Sequence, residues 1–372
     1  MTAILLVLGL VIPATSLMAG VQGSSYSPEV HPDRSVTFRF KDIGAKKVML
    51  AIEGKDAVPM TRDESGTWSY TSDQLVPDLY GYTYSSDGET RLDMHNPNTK
   101  PNLVWPSNIF LVPGEKPQPW EVQHVPHGQI HHHFFQSSVI GDERDFYVYT
   151  PAGYSPTKGP KLPVLYLLHG YSDMAGGWTE VGKAHVILDN LIAEGKAKPM
   201  VIVMTLGYGI EGAGNPLRAE YRGPTMGAKS YEQYKKCLMD EVIPTVEKSY
   251  RVSSKPSDRA IAGLSMGGAE SLYVGLNSTD KFHSIGAFSS GGLGTNFDAE
   301  FPDVQSTKFK KNLKLLWISC GVDDGLITFH HNLITWLKGK NVEVQAHETP
   351  GRHAWMVWRR NLVDFTQLLF RD

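Results

Sequence analysis

The chain has 372 residues, more than one ordinary core fills, so two domains are expected. A net charge of −3 without a run of basic residues excludes the electrostatic footprint of a nucleic-acid binder. Two cysteines in this length exclude a fold held together by a disulfide framework, and Cys237 and Cys320 read as buried free thiols.

Residues 3–19 are apolar as far as Pro13 and then turn small and polar. This pattern resembles a secretory signal peptide over residues 1–20, although no Lys or Arg precedes the apolar run. The run is too short for a comfortable membrane span, so the expectation is a secreted or periplasmic protein with no stable membrane insertion. Short alternating runs follow at Val36–Phe40, Lys47–Ile52, Thr67–Thr71 and Gly81–Tyr84, separated by the turn signals Glu53-Gly54, Ser65-Gly66 and Asp87-Gly88. Many short strands with such spacing predict an antiparallel β-sandwich. Trp68, Tyr80, Tyr82 and Tyr84 either fill its core or stack on sugar rings, and the core is favoured for Trp68. Asn96–Asn102 and Val112–Pro119 read as proline-stiffened connections. The expected division is a sandwich at 24–115, a linker at 116–127 and a second domain at 128–372.

His124, His127 and His131–His133 cluster at the junction. Neighbouring strand residues point to opposite faces, and no carboxylate or cysteine recurs at ligand spacing, so neither a metal nor another cofactor is expected. Beyond the junction, Phe135–Val139 and Arg144–Thr150 suggest a hairpin, followed by a strand at Leu162–Leu168, a helix at Thr179–Glu194 and a strand at Met200–Thr205. Gly207–Lys229 is a long loop suited to shaping a substrate site, and a helix is expected over Tyr231–Ser249. Alternation of strands and helices predicts a mostly parallel sheet with crossover helices.

The segment Ala260–Ala262 reads as a buried strand, and Gly263-Leu264-Ser265-Met266-Gly267 follows it in the pattern G-x-S-x-G. This pattern builds a sharp strand-to-helix turn with an exposed serine at its tip. Serine needs an adjacent base, and the base needs an orienting carboxylate. The buried-strand run Leu313–Gly321 ends in Val322-Asp323-Asp324-Gly325, at the sheet edge where such a carboxylate belongs. One residue of register separates Asp323 from Asp324, and Asp324 is favoured. The next strand candidate, Val342–Glu348, runs into a loop carrying His353, just before a helix from Trp355 to Phe370. His347 lies within a strand, His330 and His331 are expected on the solvated side of a helix, and His283 is badly placed. The oxyanion of an ester hydrolase needs two N–H donors, for which Met266 and Tyr171 are the candidates. Trp178 and Trp355 are candidate substrate contacts on an aromatic rim, with core packing the rival reading for both.

Leu167–Tyr171, the Gly-Leu-Ser-Met-Gly-Gly elbow, Cys320-Gly321 with Asp324, and His353 with Trp358 together resemble the putative esterase (esterase D-like) family. That family includes carbohydrate esterase family one, enterochelin esterases and mycolyltransferases. The resemblance covers residues 128–372 and implies an α/β-hydrolase fold with Ser265 as nucleophile, Asp324 as orienting acid and His353 as base. It also decides Asp324 over Asp323. Asp63–Trp68 and Leu79–Tyr84 resemble an early-set immunoglobulin-like domain. The implied activity is that of a serine carboxylic-ester hydrolase. Its expected partner is an acylated polysaccharide or oligosaccharide carrying feruloyl or acetyl groups. The alternatives are a siderophore ester or, without catalysis, a carbohydrate-binding protein.

Overall fold

The computed structural model describes residues 27–214 and 227–371. The expected signal peptide, residues 1–20, and most of the loop Gly207–Lys229 lie outside the described residues.

The alternating runs form two antiparallel sheets. One has the order Glu29–Val30, Val36–Lys41, Thr67–Thr71, Thr61–Arg62. The other runs Val58–Pro59, Val48–Ile52, Asp78–Ser86, Ser107–Val112, Thr99–Lys100, with Glu89–Arg91 paired to Asp78–Ser86. Period-two alternation turns one face of each sheet inward. Phe38 on the first sheet meets Tyr82 and Phe110 on the second, with ring centroids 5.2 and 5.3 Å apart. Trp68, Tyr80, Tyr82 and Tyr84 are all buried in this core, and the Trp68 indole donates to the Asp42 carbonyl at 2.9 Å. They offer no platform to a sugar. Asn96–Asn102 is not a linker, because Thr99 and Lys100 pair with Asn108 and Ser107. Residues 101–106 are therefore the tip of a hairpin.

The second part is built on eight strands: β1 (Gln129–Gln136), β2 (Glu143–Thr150), β3 (Val164–Leu168), β4 (Val201–Thr205), β5 (Arg259–Leu264), β6 (Ser284–Phe288), β7 (Leu315–Gly321) and β8 (Gln345–Thr349). They lie in the order β1-β2-β4-β3-β5-β6-β7-β8. β1, β2 and β4 pair antiparallel in turn, and every later neighbour is parallel. This is the mostly parallel α/β-hydrolase sheet; its inner strands β3–β7 are covered on both faces, as parallel strands require, while the edge strand β8 is exposed. Val164, Tyr166 and Leu168 of β3 enter one core layer, and Leu165 and Leu167 enter the opposite one.

The last strand, expected over Val342–Glu348, spans Gln345–Thr349, and the last helix ends at Thr366 rather than Phe370; three further departures have a local cause. β1 begins at Gln129 and ends at Gln136, so Ser137–Val139 belongs to the turn. There the Glu241 carboxylate accepts the N–H groups of Ser138 and Val139 at 2.7 and 3.1 Å, leaving them no ladder partner. The helix over 179–194 is broken into Gly177–Glu180 and Ala184–Ala193 by Lys183 at φ 55°. Gly182 causes this local approach: a Cβ there would stand 2.4 Å from the Trp178 ring. The helix over 231–249 carries a π turn at Leu238–Val242, next to Pro244, which lacks an N–H. Among the histidines of β1, His132 stacks on Tyr147 at 3.9 Å, while His131 and His133 face Tyr250. Both cysteines are buried and free.

Candidate active site

The strand β5 is buried along its whole length and runs straight into the helix α1 (Met266–Leu276). Between them Ser265 sits at φ 52°, ψ −115°, a conformation costly for a residue with a Cβ. The flanking glycines make the turn sterically feasible. A Cβ on Gly263 would lie 2.4 Å from the Gly267 carbonyl oxygen, and one on Gly267 would lie 2.4 Å from the His169 carbonyl oxygen. The Ser265 N–H donates to Phe288 O at 2.8 Å, tying the turn to the neighbouring strand β6.

Ser265, His353 and Asp324 meet at the C-terminal edge of the sheet. Ser265 Oγ is 2.9 Å from His353 Nε2, and His353 Nδ1 is 2.8 Å from Asp324 Oδ2. Asp324 Oδ1 accepts the Leu326 N–H at 2.9 Å. Burial alone would raise the Asp324 carboxyl, but the hydrogen bond and charge of His353 and the Leu326 N–H hold it below its ordinary value. Asp323 is exposed; its N–H donates to Gly351 O, and its carboxylate acts on Arg352 rather than on His353. The edge of the Trp358 indole meets the His353 ring at 4.9 Å and 85°, bracing it from the side.

None of the rival histidines reaches this chain of groups. His347 stacks on Trp317, and His331 pairs with Glu348. His330 corrects an expectation: it is buried, not on the solvated side, and burial pushes its imidazole down to about 4.

Tyr171 and Met266 both flank Ser265. Met266 is the first, fully buried residue of α1. Tyr171 follows Gly170, whose added Cβ would stand 3.5 Å from Ser265 Cβ and 2.5 Å from Leu264 Cδ1, so the main chain passes beside the serine. His169 fixes that stretch. Burial pushes its imidazole down to about 4, keeping it neutral, so Nδ1–H donates to Gly170 O at 2.8 Å while Nε2 accepts the Gly207 N–H at 2.9 Å.

A cavity of about 400 Å³ opens over Ser265 and His353, within the usual size of a small-ligand site. Trp355 is among its lining residues, although only 2% exposed. Trp178 is not. It is 0% exposed, donates its indole N–H to Leu168 O at 2.8 Å, and supports Trp355 edge-to-face at 5.1 Å. A larger hollow of about 500 Å³ borders Phe134, Tyr147 and Met174, away from Ser265, Asp324 and His353.

Four residues of the cavity wall come from the sandwich: Glu53, Lys100, Asn102 and Trp105. The hairpin tip is docked by Asn102, whose side-chain amide donates to Asp173 at 2.8 Å and whose oxygen accepts the N–H groups of Val104 and Trp105. Burial raises Asp173 to about 6, with Lys100 and Asn102 opposing the rise. Trp105, 63% exposed, overhangs the cavity at 6.1 Å from the Tyr171 ring. Sequence reading missed this residue. The available signal was an aromatic between Asn102 and Pro106, just beyond the segment Asn96–Asn102 read as a connection.

Residues 137–368 match the model of the family described as "Putative esterase". The chain belongs to this esterase family. Among curated relatives, an endo-1,4-beta-xylanase/feruloyl esterase of Xylanibacter ruminicola is 29% identical over 356 residues. That match covers 94% of this chain but 46% of the relative, so the chain spans about half that esterase's length. An acetyl esterase of Caldicellulosiruptor saccharolyticus is 23% identical over 235 residues, covering 55% of this chain and 81% of its own. Among solved structures, a CE1 ferulic acid esterase of Anaeromyces mucronatus, in complex with ferulic acid, aligns with TM-score 0.56 and 25% identity. It covers 67% of this chain and 93% of its own. The enterobactin esterase of Shigella flexneri aligns with TM-score 0.67 at 16% identity over 90% of this chain and 93% of its own, a likeness of fold alone. Among the described residues no helix is long and apolar enough to cross a membrane.

Proposed function

We propose that the chain is an exported serine carboxylic-ester hydrolase that removes feruloyl or acetyl groups from plant polysaccharide. The observation that carries the mechanism is the hydrogen-bonded series Ser265–His353–Asp324, with distances of 2.9 and 2.8 Å, opening into a cavity. Ser265 Oγ attacks the ester carbonyl while His353 Nε2 takes its proton, and Asp324 holds the Nδ1–H and stabilises the imidazolium. The N–H groups of Met266 and Tyr171 receive the oxyanion. Collapse expels the sugar alcohol, protonated by His353, and leaves an acyl-Ser265 ester. Water then attacks with His353 again as base, and the free acid departs.

The substrate reading is supported by the relatives' names, xylanase/feruloyl esterase and ferulic acid esterase, and by the aromatic wall. Trp105 and Tyr171 line the cavity as an edge-to-face pair at 66°, an aromatic wall suited to an aryl acyl group. The test is to identify the acids released from acetylated, feruloylated arabinoxylan. Ferulate or acetate from the wild type and none from Ser265→Ala is the expected result. Release of neither acid overturns the polysaccharide reading.

Trp105→Ala probes the acyl group. Loss of a ring contact and of its apolar cover is worth about 1–1.5 kcal/mol, so kcat/KM for methyl ferulate should fall about tenfold. An acetyl ester, too small to reach the indole, should change less than about twofold. Equal losses on both esters would mean that Trp105 shapes the site without touching an aryl group.

A further inference from the structure

The loop that carries His353 is held from the sandwich as well as from its own sheet. After His353 the chain enters helix α2 (Trp355–Thr366), whose N-cap residue Ala354 has no side chain to bond the exposed N–H groups of the first turn. Glu53 of the sandwich supplies the missing acceptor. Its Oε1 takes the Trp355 N–H at 2.9 Å, two residues beyond the imidazole. A carboxylate at that end of a helix also meets the favourable end of the helix dipole.

Glu53 is itself firmly placed. Its N–H donates to Gly81 O at 2.8 Å, and its Oε2 accepts the Gly81 N–H at 2.9 Å. Gly81 leaves the room this needs, since a Cβ there would stand 3.0 Å from Glu53 Oε2. Lys55 N–H closes the turn on Ile52 O at 3.0 Å, with Gly54 at φ 77°. On the other side of the imidazole Arg352 reaches Asp56 of the same turn at 2.7 Å. Met356 rests against Gly54, where an added Cβ would meet its Cε at 2.7 Å. Contacts from residues 53–56 thus bracket His353 at positions 352, 355 and 356.

We infer that the sandwich is part of the catalytic machinery, with Glu53 as a positioning residue that holds the His353 loop in register with Ser265. The inference rests on His353 being the base. A misplacement of a catalytic group by an ångström can cost on the order of 100-fold in rate. The exposed Arg352–Asp56 pair adds little by itself, which leaves Glu53 as the principal tie.

The test uses the full chain with Glu53→Ala, Glu53→Gln and His353→Ala, each checked for an unchanged melting midpoint. Against a small acetyl ester, Glu53→Ala should lower kcat by roughly 10- to 100-fold. KM should move less than about threefold, because the small ester does not fill the wall that Glu53 lines. Phosphonylation of Ser265 by a fluorophosphonate should slow in parallel. The far-downfield proton signal of the His353–Asp324 hydrogen bond should broaden or vanish. Glu53→Gln keeps one acceptor oxygen for the Trp355 N–H and should recover most of both readouts. If Glu53→Ala keeps wild-type kcat and the downfield signal while His353→Ala is inactive, the positioning role is wrong and the triad stands. If His353→Ala is itself active, the triad reading fails first, and this inference with it.

Discussion

Ser265→Ala is expected to lower kcat for ester hydrolysis by on the order of 10⁶-fold, by analogy with other serine hydrolases, with no change of fold. The magnitude follows from what the substitution removes and what it leaves. It deletes the only atom able to form the acyl-enzyme, so His353 is left 2.9 Å from where the Oγ stood with no proton to accept from the protein. The N–H donors of the elbow and the cavity survive, and such groups alone still give about 10³–10⁴-fold over the reaction in water. Alanine has the same Cβ as serine, so the strained φ of 52° costs it about the same, and the glycines at 263 and 267 still clear the turn. Two measurements check the prediction. Intact-mass analysis after mixing with an activated ester should show an acyl adduct on the wild type and none on the variant. Steady-state kcat gives the size of the loss. A variant within about 100-fold of wild type would mean that another nucleophile does the chemistry.

The legible parts of this site were those whose requirements are local. Gly263 and Gly267 are dictated by a turn five residues long, so a motif could report them. Asp324 sits just past the apolar run of β7 and His353 shortly after the exposed edge strand β8, and a strand end in a parallel sheet has a known edge. Trp178 and Trp355 show where local reading stops. Each is a tryptophan beside a catalytic loop, yet one is sealed against Leu168 and the other lines the cavity, and only the packing of two loops distinguishes them. His330 was misread for a related reason: an amphipathic reading of its helix places a polar ring outward, but the ring is carried into the interior. Glu53, Lys100 and Asn102 had no signal of their own as site residues and Trp105 only a faint one, because all four reach the cavity through the docking of one sheet system on another. That docking is set by contacts separated by up to 302 positions, as for Glu53 and Trp355.

The sharpest of those contacts is a buried ion pair, and its disruption should be the largest single loss of stability. Asp78 begins a sandwich strand and Arg359 lies on α2; both side chains are 0% exposed and meet at 2.8 Å. The guanidinium also donates to Leu79 O at 2.5 Å and Val181 O at 3.2 Å and lies over the Trp120 ring. Arg360 bonds the second Asp78 oxygen. Removing the carboxylate leaves a cation that carbonyl dipoles and a ring cannot neutralise, in a place water does not reach. Asp78→Ala should therefore cost about 3–5 kcal/mol, read as a lower urea midpoint and a melting midpoint lower by roughly 5–10 °C. Replacing both partners, Asp78→Leu with Arg359→Met, should restore much of the loss, because the desolvation penalty then vanishes along with the attraction. A single variant as stable as wild type would show that the pair is wet in solution. The site should feel the same break. Arg359 sits one helical turn beyond Trp355, so a sandwich that no longer grips α2 at Asp78 also presents Glu53 less firmly to the loop of His353.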